Sequence, residues 1–126
     1  MAAQPNLQAI LDAAHISPEI FALRPDYRAL LLIVDGITPE PSNAFSDSRL
    51  EEAEASARSA LAGKPVTESP HIASWREAYK AFGAKPNKFR NSLEALTRRA
   101  EKGLPRVNRL TDIYNAISVK HQIPLG

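Results

Sequence analysis

The side chains whose type and spacing best suit chemistry in this chain are cations. Residues 1–68 carry 5 basic and 10 acidic side chains, whereas residues 69–126 carry 11 basic and 4 acidic ones. The formal total of +2 therefore conceals an acidic first half and a basic second half. Lys85, Lys88, Arg90, Arg98, Arg99, Lys102, Arg106 and Arg109 supply most of the basic excess. Cations in such a series can neutralise successive phosphates of a polyanion, and the counterions released make binding fall steeply as salt rises. None of them reads a base by itself. The same sorting arises when lysines and arginines simply solvate helix faces, and that reading stands beside the first.

Other chemistry is scarce. The chain has no cysteine, which removes disulfides, thiolate metal sites and cysteine nucleophiles. His15, His71 and His121 are scattered and lack ligand spacing, so neither a metal nor a cofactor is expected. There is no glycine-rich phosphate loop, no His-Glu-x-x-His and no Gly-x-Ser-x-Gly, and the chain holds only 5 glycines. Met1 to Gln8 lacks a basic start leading into an apolar run. The longest apolar stretch, Ala29 to Val34, is far too short to span a bilayer. These features predict a soluble, cytoplasmic protein with no membrane partner.

The elements that must position the cations can be read from periodicity and punctuation. Residues 7–14 are helix-forming, and Pro18 and Pro25 break the stretch beyond them into extended or turn structure. Tyr27 to Ile37 is a run of leucine and β-branched residues ended by Asp35-Gly36, and its continuous apolarity predicts a central strand over Tyr27–Val34, buried on both faces. After a proline-rich loop, Ser48 and Glu51 form a predicted capping box for a helix over 48–62, with Leu50, Ala53, Ala57, Ala60 and Leu61 inward and Gly63 as terminator. Ser69-Pro70 starts a helix over 71–82 whose stripe of Ile72, Trp75, Tyr79 and Phe82 predicts a buried Trp75. Asn91 caps a helix over 92–102 with Leu93, Leu96 and Ala100 inward, and Leu110, Ile113, Tyr114 and Ile117 mark the apolar side of a last helix over 109–120. Together these elements predict one α/β (α+β) domain, the helix-rich half of a mixed fold with a small sheet packed by helices.

The order of residues from Ile72 onward carries a further signal. Ile72, Trp75, Arg76, Tyr79, Phe82, Gly83, Lys85, Pro86 and Lys88 precede Asn91-Ser92-Leu93-Glu94-Ala95-Leu96 and Arg98-Arg99. Then come Lys102-Gly103-Leu104-Pro105-Arg106-Val107-Asn108 and Asp112-Ile113-Tyr114-Asn115. This resembles the B-three/B-four editing domain of the bacterial phenylalanyl-tRNA synthetase beta subunit, and more closely its free-standing single-domain relatives. In the synthetase that domain hydrolyses tyrosine wrongly attached to the phenylalanine tRNA, in a pocket between two subdomains.

The resemblance implies a hydrolase-like domain acting on mischarged aminoacyl-tRNA, with tRNA as partner and the eight cations above as its phosphate contacts. It places Asn115 at the family's pocket asparagine, Tyr114 where the family has threonine and Gly126 where it has histidine. An asparagine amide can orient an ester and its water but cannot act as a general base. With two of the three pocket positions changed, a non-catalytic module binding tRNA, another RNA or an amino acid is the alternative. Asn115 bonding local backbone and Tyr114 packing with Leu110 and Ile117 remain the structural readings of those two residues. The resemblance further implies that residues 19–126 form the editing-domain-like region and 1–18 an N-terminal extension. It implies too that the chain is the N-terminal part of a longer domain, completed by a C-terminal half or by a second chain.

Overall fold

The helices form where the sequence supplies caps and stops, and the strand over Tyr27–Val34 does not form. A computed structural model describes residues 6–126. The first five residues of the predicted N-terminal extension lie outside the described residues. There are six α-helices among the described residues: α1 (Leu7–Ala13), α2 (Pro18–Leu23), α3 (Ala44–Leu61), α4 (Pro70–Ala81), α5 (Ser92–Ala100) and α6 (Arg109–His121), with a 3-10 turn at Val66–Glu68 between α3 and α4. No strand occurs among the described residues, so the expected mixed α/β domain with a small sheet is replaced by an all-helical one.

The chain divides into two units, Met1–Thr38 and Pro39–Gly126. In the first, Asn6 caps α1 by accepting the Ala9 N–H at 3.0 Å, and Pro18 opens α2, so the stretch expected to be extended or turn is helical over Pro18–Leu23, proline at a first helical position having no N–H to satisfy. Neither helix buries a residue. The predicted strand Tyr27–Val34 is irregular, with Leu30 94% and Leu32 80% exposed. A strand buried on both faces needs ladders on its two sides and cover above and below. This unit offers two helices with no buried face and no second strand among its described residues, so the apolar run has nothing to pair with.

The second unit contains the core. Asn43 and Ser46 form the capping box of α3, ahead of the predicted start: the Asn43 side chain accepts the Ser46 N–H at 2.9 Å and the Ser46 hydroxyl accepts the Asn43 N–H at 2.9 Å. Ser48, the expected cap, lies inside the helix and donates back to the Phe45 carbonyl. At the far end Ala62 and Gly63 take left-handed dihedrals, φ 50° and 79°, where glycine carries no Cβ penalty. Asn91 and Asn108 cap α5 and α6 through the N–H groups of Glu94 and Thr111.

Helices α3 and α6 run in the same direction. Ser42, just before α3, donates to Asp112 in the first turn of α6, and Lys120 in the last turn of α6 donates to Glu52 further along α3. The seam between them is made of Leu50, Ala53, Ala57, Ala116 and Val119, joined by Ala100 and Leu104. Four alanines in such a seam let backbones approach closely, and the core is correspondingly thin. Fully burying Leu50 contributes roughly 1.5–3 kcal/mol.

The face of α6 differs from the one its periodicity predicts. Asp112, Ala116 and Val119 point inward, whereas Leu110, Tyr114 and Ile117 are 49%, 39% and 47% exposed. The inward aspartate is tolerable because its carboxylate accepts the Val107 N–H at 2.8 Å and the Ser42 hydroxyl, at a helix N-terminus that favours negative charge. On α4, Ile72 is fully buried, Trp75 and Tyr79 are half-buried and Phe82 is exposed, so that stripe is only partly core.

Candidate nucleic-acid interface

A buried carboxylate organises the basic half. Glu94 sits in the first turn of α5 with its side chain 2% exposed. Arg76 from α4 donates through Nη1 to both carboxylate oxygens, at 3.0 and 3.1 Å, and Arg98 donates through Nε at 3.1 Å. Arg90 Nε lies 3.2 Å from the same group. An ionised carboxylate out of water is costly unless paired and hydrogen-bonded. Here three guanidiniums share one carboxylate, which leaves the cluster with a net excess of positive charge.

The cluster also fixes the turn before α5. Arg76 Nη2 donates to Asn87 Oδ1 at 2.6 Å, and the N–H groups of Lys88 and Phe89 donate to the Lys85 carbonyl at 2.9 and 2.8 Å. Pro86 is buried within the turn. Lys85, Lys88 and Arg90 are thereby held on its outside together with Phe89, which is 53% exposed. Lys88 Nζ lies 5.5 Å from the Phe89 ring centroid. A cationic turn with an exposed aromatic ring can hold phosphates and offer a stacking surface to an unpaired base.

The other predicted cations divide. Arg99 and Lys102 are exposed at the end of α5, and they, Lys85 and Lys88 have no carboxylate partner among the described residues. Arg106 is turned toward α3, donating to Glu54 Oε1 at 2.5 Å and to the Leu104 carbonyl at 2.7 Å. Burial pushes the Glu54 carboxyl up, but the bonds from Arg106 and from the Leu104 N–H outweigh it and hold that carboxyl below its ordinary value. Arg109 is half-buried, and its Nε is buried without a hydrogen bond. The series of eight therefore divides into Lys85, Lys88, Arg90 and Arg98 at the turn and the Glu94 cluster, Arg99 and Lys102 exposed at the far end of α5, and Arg106 and Arg109 outside both.

No family model, curated protein or solved structure matches this chain. Asn115 is half-buried on α6 and its side-chain amide makes no hydrogen bond among the described residues, so it does not bond local backbone as one reading of the sequence expects. Tyr114 lies on the outer stripe with Leu110 and Ile117. Gly126 ends a segment held elsewhere: Ser118 Oγ donates to the Ile123 carbonyl at 2.6 Å, and Ser92 Oγ donates to the Leu125 carbonyl at 3.1 Å. Among the described residues no hydrogen bond draws Asn115, Tyr114 and Gly126 into one pocket. No group of acidic residues and histidines suited to a metal occurs among the described residues.

Sequence reasoning misses Arg76, Asn87 and Phe89 as parts of this face. Part of the signal is local. Glu94 lies four residues after Arg90 and four before Arg98, the spacing that brings side chains together on one helix face, and Phe89 stands between Lys88 and Arg90. Arg76 joins from another helix, which no local pattern reveals.

Proposed function

We propose that this chain is an RNA-binding module that engages tRNA through the Lys85–Arg90 turn and the exposed face of α5, without catalysis of its own. One observation carries the reading: a hydrogen-bonded turn presents Lys85, Lys88 and Arg90 around an exposed Phe89, beside a cluster in which three arginines outnumber one buried carboxylate. The resemblance to tRNA-editing domains supports the choice of tRNA among RNAs. Asn115 supplies an amide but no titrating group, and Asp112, the nearest carboxylate on α6, is fully buried and engaged with Ser42 and Val107. Ester hydrolysis would thus lack a general base at that position.

Titration of unmodified tRNA against the chain over a range of salt tests the proposal. Replacing Lys85 and Lys88 with alanine should reduce the log–log salt slope by about 0.9 for each phosphate no longer neutralised. Phe89→Ala should weaken binding by about 1–3 kcal/mol at constant slope, because it takes away a stacking platform without changing charge. Unchanged affinity and slope in both variants would remove this face from consideration. The editing hydrolase is the second reading, favoured by the unpaired, half-buried Asn115 amide. Release of the amino acid from a mischarged phenylalanine tRNA, abolished in Asn115→Ala, would establish it instead.

A further inference from the structure

A cavity of about 480 Å³ opens where the C-terminal ends of α3 and α5 meet the 3-10 turn, and its lining is sorted by chemistry. Leu61, Pro65 and Val66 give it an apolar wall, with Ala57 and Ala100 at the base. Arg58, Lys64 and Arg98 bring three cations to it, against the single carboxylate of Glu101. Arg58 spends one donor on the Ala100 carbonyl, at 3.2 Å, which offsets the negative end of α5. Arg98 uses Nε on Glu94 and keeps its two terminal nitrogens. Lys64 is exposed and has no carboxylate partner among the described residues.

Thr97 completes the lining. It is 2% exposed, and its hydroxyl oxygen accepts from Gln122 Nε2 at 3.3 Å, while its own proton has no acceptor among the described residues. Thr97, buried in the lining, keeps an unused hydroxyl donor, and the three cations Arg58, Lys64 and Arg98 that line the same cavity match an anion with several acceptor oxygens. Glu101, free of ion pairs among the described residues, can accept only from hydroxyl or amino donors. The volume lies within the range of small-molecule sites and exceeds what a bare inorganic ion would fill.

We propose that this cavity binds a nucleoside monophosphate unit. The phosphate would lie among Arg58, Lys64 and Arg98, the flat base against Leu61, Pro65 and Val66, and a ribose hydroxyl or exocyclic amine on Glu101. The unit has two sources, a free nucleotide or the phosphorylated end of an RNA strand. The site lies away from the Phe89 turn but shares Arg98 with the α5 face of the tRNA reading, so the two are told apart by Phe89→Ala, which lies outside the cavity, and Lys64→Gln, which lies outside that face.

Calorimetric titration of the whole chain with adenosine 5′-monophosphate, adenosine and inorganic phosphate tests this. The monophosphate should bind at least tenfold more tightly than either of the other two. Lys64→Gln, at an exposed position outside the core, should weaken the monophosphate about tenfold while leaving the melting temperature in place. Thr97→Val should weaken it in the same direction. Equal affinity for adenosine and its monophosphate, or an unchanged affinity in Lys64→Gln, would overturn the proposal. Competition with one RNA oligonucleotide, with and without a 5′ phosphate, separates the sources. Displacement by the phosphorylated form alone supports an RNA end, and displacement by neither supports a free nucleotide. Displacement by both equally would count against a phosphate-reading site. A negative result here leaves the effect of Phe89→Ala on tRNA affinity to be judged separately.

Discussion

Two regions of this molecule hold leucines in quite different circumstances. Leu50 on α3 is 0% exposed and lies at the centre of the alanine-lined seam, whereas Leu30, in an unbroken apolar run, is 94% exposed. Both stretches are hydrophobic enough to enter a core. Cover separates them: α3 meets α6 and the 101–108 segment, while the run after Tyr27 meets no element of its own unit that buries a residue. Hydrophobicity states a demand for burial, and topology decides whether it is met.

The contrast can be broken most sharply by proteolysis. Cleavage within residues 28–37 needs no unfolding, because that backbone is already irregular and exposed, while cleavage within α3 or α6 requires the second unit to open. If that unit has about 4 kcal/mol of stability, the first site should be cut roughly a thousandfold faster. Mass spectrometry of a limited digest shows which bonds go first, and simultaneous cuts in α3 would contradict the picture. Substitution gives the next largest effect. Leu50→Ala should destabilise the fold by about 2–5 kcal/mol, and Leu30→Ala by less than about 0.5 kcal/mol, as read from denaturant midpoints.

A smaller effect comes from acid. The folded-state carboxyl of Glu54 is depressed below its ordinary 4.5, so its contribution to stability is fully present above that value and is lost as pH falls through the lower folded value. The melting temperature should decline below about pH 4.5, and Glu54→Gln should flatten that part of the curve. Its effect should be confined to the second unit, with the 28–37 segment cut at the same rate in both proteins.

How much of the fold is legible in the sequence depends on which features are local. The starts of α4 and α5 are readable because Ser69-Pro70 and Asn91 are local signals, and the stop at Gly63 rests on a positive φ that glycine adopts freely. The strand over Tyr27–Val34 is a false reading because an unbroken apolar run looks the same whether or not a neighbour exists to pair with it. The orientation of α6 misleads for another reason. Asp112 would be excluded from a core by its charge, yet Ser42, 70 residues away, and the Val107 N–H satisfy it, and that long-range partner leaves no trace in the local pattern. For the candidate interface, the cations are legible as a class. Their division into cations at the turn and the Glu94 cluster and residues outside it depends on tertiary pairing with Glu54 and Glu94.

The three-to-one arrangement around Glu94 is a form of redundancy. A carboxylate with one partner would be stranded whenever that partner turned away, and the fold would resist the exchange. With Arg76 held inside at 16% exposure and Arg90 and Arg98 outside at 44% and 35%, the inner arginine can keep the carboxylate satisfied while either outer one swings to a passing phosphate. If the proposed RNA contact holds, the protein would lend a cation without loosening its own frame.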